Sequence, residues 1–186
     1  MIESRITNGM SPSNERGSTR KPYLVVGLGN PILGDDGVGW RVAEEVRRKL
    51  SSVRSNDSTA SGETPGVDIE CLSVGGLSLM EHLVGYEKVI IIDAIHTGQC
   101  PHGTVRVFRL DELPNLMEGH TTSAHDTSLQ TAIDVGRLMG VEMPDEITVV
   151  AVESPHVYDF SENLSQAATD ALPHAVNAVF ELLDII

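Results

Sequence analysis

The chain has 186 residues, 40% of them hydrophobic and only 4% aromatic, with a formal net charge of −14. That length fits one domain with an aliphatic core, and that charge argues against a nucleic-acid footprint or an anionic membrane as partner. No run is apolar enough to span a bilayer, the first residues carry no secretory h-region, and two cysteines (Cys71 and Cys100) make no disulfide framework, so the expected location is the cytoplasm.

Residues 1–21 are polar and rich in Gly, Ser and Asn, the composition of a disordered tail. Tyr23–Gly27 (YLVVG) is a short buried strand. Val38, Val42, Val46 and Leu50 recur every fourth residue, so Asp36–Leu50 reads as an amphipathic helix. Residues 51–66 are too polar to pack and read as a mobile surface loop. Val67–Ser73 alternates like a half-buried strand, with Cys71 in the core. Gly75-Gly76 opens a helix over Leu77–Val84. Lys88–Ile92 (KVIII) is a continuous β-branched run, the pattern of a central parallel strand covered on both faces.

Gly103–Leu110 alternates as a strand. Thr127–Met139 is helical, with Leu129, Ile133 and Gly136 inward. Ile147–Val152 is another buried strand. A last helix runs from the N-cap candidate Ser165 to Ile186, with a kink or an interrupted first turn expected at Pro173. Strands alternating with helices imply one α/β domain over 22–186: a mostly parallel twisted sheet of about five strands with helices on both faces. Ligands of such folds bind outside the carboxyl ends of the strands. The loops after Gly27, after Ile92 and before Thr127 are therefore where chemistry is expected.

The loop Gly27-Leu-Gly-Asn-Pro-Ile-Leu-Gly-Asp-Asp-Gly-Val-Gly39 looks at first like a dinucleotide fingerprint. It fails on spacing, because Ile32 stands where the third glycine belongs, and it fails on charge. A pyrophosphate needs bare N–H groups at a helix N-terminus, and Asp35 and Asp36 occupy that end. One of the pair, Asp35, suffices as a helix cap, worth about 1 kcal/mol. Asp36 is then left to face the cleft.

Asp93 ends the run KVIII, at the strand tip where α/β proteins place functional groups; a turn or cap residue is the bland reading. His125 lies in a polar stretch just before a helix, with His120 close by in sequence as a reminder that a lone histidine is common. Together Asp36, Asp93 and His125 supply oxygen and imidazole donors suited to a borderline divalent ion such as nickel, zinc or cobalt. Three protein ligands leave positions open, as catalytic sites do. There is no H-E-x-x-H helix, no C-x-x-C pair and no G-x-S-x-G elbow. A rival set, His96, Cys100 and His102, falls in a Gly/Pro turn between strands.

These residues resemble those of the hydrogenase maturation proteases, endopeptidases that trim the large subunit of nickel–iron hydrogenases. Gly27-Leu-Gly-Asn30 followed by Gly34-Asp-Asp-Gly-Val-Gly39 resembles the family's opening strand, loop and helix start. Gly75-Gly76-Leu77 resembles its second glycine turn, Ile92-Asp93-Ala94 its strand-end aspartate, and Ser123-Ala124-His125-Asp126 its histidine motif. The match runs over about residues 23–184. Three features depart from the usual pattern: the N-terminal tail, the longer 51–66 loop and the His96/Cys100/His102 stretch.

The resemblance implies that Asp36, Asp93 and His125 are both metal ligands and catalytic residues of a metal-dependent endopeptidase. The metal would be nickel, supplied by the substrate rather than permanently bound. The implied partner is the [NiFe]-hydrogenase large-subunit precursor, from which a C-terminal peptide is removed, with the protease itself a monomer. Either the ion polarises the scissile carbonyl or a water, or Asp36 or Asp93 acts as general base. The alternative, from another class, is a nickel-binding maturation chaperone that cuts nothing.

Overall fold

The computed structural model describes residues 20–56, 66–112 and 124–185, with the backbone alone at 53–56 and 124–128. The sequence readings on residues 1–19, on 57–65 and on His120 lie outside the described residues. In chain order the elements are β1 (Lys21–Leu28), α1 (Val38–Asn56), β2 (Val67–Leu72), α2 (Gly76–Leu83), β3 (Tyr86–Ile95), β4 (Val105–Arg109), α3 (Ala124–Leu138), β5 (Glu146–Glu153) and α4 (Gln166–Leu182). Short 3-10 turns span Gly34–Gly37 and Leu110–Glu112.

The five strands form one sheet in the order β2-β1-β3-β5-β4. The first four are parallel and β4 runs antiparallel on the edge, as expected for a mostly parallel sheet. Strand alternation divides the core in two. Leu24, Val26, Leu28, Val89, Ile91 and Ile95 meet Leu79 and Leu83 of α2 and Leu129 and Ile133 of α3. Val25, Ile90, Ile92, Val150 and Val152 meet α1 and α4 on the other face. The fourfold spacing of Val38, Val42 and Val46 buries all three completely, each contributing about 1.5–2 kcal/mol of apolar transfer.

Several boundaries move. Lys21, read as the end of a polar tail, is already paired in β1, opposite Tyr86. Arg20 just before it bonds the Met143 carbonyl at 3.2 Å and forms an ion pair with Asp145. Helix α1 runs on to Asn56, six residues into the stretch read as a loop. There the Ser51 and Ser52 hydroxyls donate to the Arg47 and Lys49 carbonyls, at 2.8 and 2.7 Å. Hydroxyls bonded back to the preceding turn stay within the helix's own hydrogen-bonding, so these serines are accommodated in its last turns. Helix α4 is uninterrupted through Pro173 and ends at Leu182. Pro173 is exposed, so water can serve the carbonyl whose N–H partner the proline lacks. No helix among the described residues is long and apolar enough to cross a membrane.

Candidate active site

The sheet reverses its winding between β1 and β3. From β1 the chain passes through α1 to β2 on one side, while β3, β5 and β4 lie on the other. A parallel sheet opens a crevice at such a switch point, at the carboxyl ends of the diverging strands. β1 pairs with β3 only as far as Gly27 opposite Ile92; beyond that β3 continues with β5 alone. Asp93 is the next residue after that parting.

β3 does not stop at Ile92. Asp93, Ala94 and Ile95 pair with Ala151, Val152 and Glu153, so Asp93 sits inside a strand rather than at its tip. It is 6% exposed. Its Oδ1 accepts the Ala94 N–H at 2.8 Å. By the twofold alternation of a strand, Asp93 shares the face of Val89, Ile91 and Ile95, the face covered by α2 and α3.

Glycine seats the loop that carries Asp36 against the same strand ends. Gly39, in the first turn of α1, lies so close to the sheet that a Cβ would stand 2.3 Å from both the Leu28 and Ile92 carbonyl oxygens. Only a residue without a side chain lets α1 begin on top of β1 and β3. Gly29 turns the chain with φ +119°, and a Cβ there would stand 1.8 Å from the Asp36 carbonyl oxygen. The half-buried Asp36 carboxylate accepts the Asn30 N–H at 2.6 Å, which ties the two ends of the loop together.

Asp35 does not cap α1. It is 1% exposed. Its Oδ2 accepts the hydroxyls of Ser154 at 2.5 Å and Ser165 at 2.7 Å, and its Oδ1 accepts the Ser165 N–H at 2.6 Å. The carboxylate therefore fastens the β1–α1 loop to the β5–α4 loop. Ser165 is the N-cap of α4, as its sequence position suggests, accepting the Ala168 N–H at 3.2 Å.

His125 is the second residue of α3, which starts at Ala124 instead of Thr127; its side chain lies outside the described residues. The end of α3 is at the amino edge of the sheet. Arg137 bonds the Pro144 carbonyl at 3.4 Å, and Glu142 accepts the N–H of Gly85, which precedes β3, at 3.2 Å. Gly136 meets Met80 of α2 there. A helix of 15 residues extends about 22 Å, so its first turn reaches toward the carboxyl edge, over the face that Asp93 shares. Thus the loop that carries Asp36 leads into α1 at the end of the β1/β3 pairing, Asp93 is the next residue of β3 beyond that pairing, and the backbone of His125 lies in the first turn of α3. Among the described residues no three His, Cys, Asp or Glu side chains gather as a metal site.

The rival set is organised otherwise. The turn carrying His96, Cys100 and His102 is held by Glu153, which is fully buried. Its carboxylate accepts the Thr97 N–H at 2.7 Å, the Thr97 hydroxyl at 2.6 Å and the Gly98 N–H at 2.9 Å. His102 stands edge-on to His156, ring centroids 6.2 Å apart, and His156 Nδ1 bonds Asp159 at 2.8 Å. Cys71 is half-buried, and burial pushes its thiol pKa up, the state of an inert core cysteine. Sequence reasoning missed Glu153. Its one local signal is a carboxylate closing the apolar run ITVVAV.

A doubly wound α/β sheet of this order is an architecture of ligand-binding domains, whose sites lie at the switch point. The family model for hydrogenase maturation proteases (HycI) matches residues 73–182. The chain belongs to the hydrogenase maturation protease family. The hydrogenase expression/formation protein HoxM of Azotobacter vinelandii is 27% identical over 165 residues, 89% of this chain and 73% of that protein. HupD of Rhodobacter capsulatus, with the same description, is 29% identical over 160 residues, 86% of this chain and 70% of its own. The hydrogenase maturating endopeptidase HybD from E. coli shares the fold with a TM-score of 0.66 at 24% identity, covering 88% of this chain and 92% of that one.

Proposed function

We propose that this protease removes a C-terminal peptide from a nickel-loaded [NiFe]-hydrogenase large-subunit precursor, reading the nickel through Asp36, Asp93 and His125. What supports the reading is that Asp93 directly follows the residue where β1 and β3 part, and that Gly39, three residues after Asp36, is seated against Leu28 and Ile92 at that same parting, the place where parallel sheets bind ligands. The nickel belongs to the substrate. Two carboxylates and an imidazole form an incomplete donor set for such an ion, and the precursor's own ligands complete the shell. Binding is then coupled to nickel loading, because only the loaded precursor gains those bonds.

The Ala94 N–H bonds Oδ1 of Asp93, which helps to fix the group's orientation. Asp36 is oriented likewise by Asn30. Oriented carboxylates can ligate the ion or take the proton of an attacking water. The protease works as a cytoplasmic monomer whose cleft admits a large partner.

The test is the mass of the precursor before and after incubation with this protein, with nickel-loaded and nickel-free forms side by side. Peptide loss from the loaded form alone is the expected result. Loss from both forms keeps the protease and removes nickel sensing. Loss from neither, with the loaded precursor still bound, turns the reading to the nickel-binding chaperone.

A further inference from the structure

Beside the crevice stands an apolar lip that the chemistry of Asp36, Asp93 and His125 does not use. Tyr158 is 79% exposed, Phe160 88% and Ile32 49%. The chain has only three Tyr and three Phe, so one short segment displays two of its six on the surface. Scattered single apolar residues need no explanation, but a group at the rim of a site does.

The lip is held in place. Segments 32–35 and 156–161 lie side by side, with Leu33 bridged to Ser161 as in a parallel sheet. Ser161 donates its N–H to the Ile32 carbonyl at 3.1 Å, and the Ser161 carbonyl accepts the Gly34 N–H at 2.7 Å. The His156 carbonyl accepts the Asp35 N–H at 3.1 Å. Buried Asp35 pins the same two loops from beneath through Ser154 and Ser165. Gly34 is in the left-handed region (φ +56°), and a Cβ there would stand 3.0 Å from the His156 carbonyl oxygen. The segment that carries both aromatic residues is thus fixed against the loop that carries Asp36.

Carboxylates are in excess around them: Arg41 bonds the Glu162 carbonyl at 3.4 Å but is itself paired with Glu44 at 3.6 Å. Residues 154–165 contain Asp159 and Glu162 and no Lys or Arg, within a chain of formal net charge −14. Aromatic anchors beside an excess of carboxylates suit an apolar segment that carries cationic side chains.

We infer that Ile32, Tyr158 and Phe160 form a docking lip for an apolar, cation-bearing segment of the hydrogenase large-subunit precursor, holding that segment beside the crevice while the scissile bond is positioned. This rests on the precursor being the substrate. It adds a specificity-determining surface that acts by binding and leaves the reacting groups unchanged.

The test compares the wild type, Tyr158→Ser/Phe160→Ser, Glu162→Lys and a control, Leu138→Ser. Leu138 is 88% exposed at the far end of α3. Each protein is assayed for cleavage of the nickel-loaded precursor and, separately, for its binding. The double variant is expected to raise KM and Kd about tenfold with kcat unchanged. Glu162→Lys is expected to raise both severalfold, with added salt shrinking its difference from wild type; Leu138→Ser changes neither. Unchanged KM and Kd in the double variant, with wild-type cleavage intact, would overturn the lip alone. If the wild type binds without cleaving, the protease reading falls and the Kd comparison still decides the lip. If the wild type neither binds nor cleaves, both fall.

Discussion

Ser165 gives Asp35 two hydrogen bonds, one from its backbone N–H at 2.6 Å and one from its hydroxyl at 2.7 Å, so the cap of the last helix is also the anchor of the first loop. A buried carboxylate satisfied this way is costly to remove, because its donors are left unpaired in a dry site. Asp35→Ala should lower stability by about 3 kcal/mol, and the Tm by roughly 10 °C, in thermal unfolding followed by circular dichroism. Ser165→Ala keeps the backbone bond and should cost about half as much. Equal melting of Asp35→Ala and wild type would mean that the two loops do not depend on this tie.

Asp93→Asn keeps the shape of the side chain and an oxygen for the Ala94 N–H, but removes the negative charge. The melting temperature is therefore expected to stay within a few degrees of wild type, while processing of the nickel-loaded precursor falls by at least about a hundredfold, as for loss of a general base or ligand. Mass spectrometry of the precursor reads the activity, and circular dichroism reads the fold. Normal processing by this variant would remove Asp93 from the site.

Gly39→Ala tests the seat of α1. The added methyl would stand 2.3 Å from two backbone carbonyl oxygens, those of Leu28 and Ile92, and neither can move without breaking the sheet. Helix propensity favours alanine by about 1 kcal/mol, so propensity alone predicts stabilisation. The expected outcome is the opposite: a loss of several kcal/mol, or no soluble protein, seen in urea unfolding.

The layers of the fold were legible because burial writes a period into the sequence. The continuous run KVIII marks a strand covered on both sides, and the fourfold valines of α1 mark one helix face. Asp93 stood out for the same reason, as a carboxylate breaking an apolar run. The extension of β3 to Ile95 was hidden, because a charged residue inside a strand reads locally as its end. The role of Asp35 was hidden more deeply. Its partners Ser154 and Ser165 are 119 and 130 positions away, and no local pattern announces them. A helix cap was the natural expectation for an Asp before Val38, yet the loop spends that carboxylate on tertiary contacts.

Glu153 has a similar hidden role. It is fully buried and its oxygens accept three hydrogen bonds from Thr97 and Gly98. Glu153→Gln replaces one acceptor oxygen with a donor, so the Thr97 hydroxyl loses its partner or turns away. The expected cost is about 1–3 kcal/mol. Amide hydrogen exchange should speed up at Thr97, Gly98 and Gln99 before it does in β3 and β5. Uniform exchange across the sheet would show that Glu153 does not hold the turn.

At the opposite end of the sheet, Lys21 donates to Asp68 at 2.7 Å and the Tyr86 hydroxyl donates to the same oxygen at 2.7 Å. The bond from Lys21, then that from Tyr86, holds the Asp68 carboxyl below its ordinary range. Burial first, and Asp68 second, push the Tyr86 hydroxyl up; the bond to Asp68 raises Lys21. A depressed carboxylate contributes stability above its unfolded value of about 3.9 and loses it as the pH falls through the folded value. The raised Tyr86 and Lys21 contribute below about pH 10 and lose it as the pH rises through their folded values. The cluster therefore adds to a plateau bounded by acid and alkali. Asp68 is 44% exposed and Lys21 63%, so screening by water keeps the effect small. Asp68→Asn should lower the Tm by a few degrees at neutral pH, and the difference from wild type should vanish once the pH has fallen through the lowered folded value of Asp68. Melting curves across that range check it. A constant difference at every pH would mean that packing of the side chain, not its charge, is what joins β1, β2 and β3 at this corner.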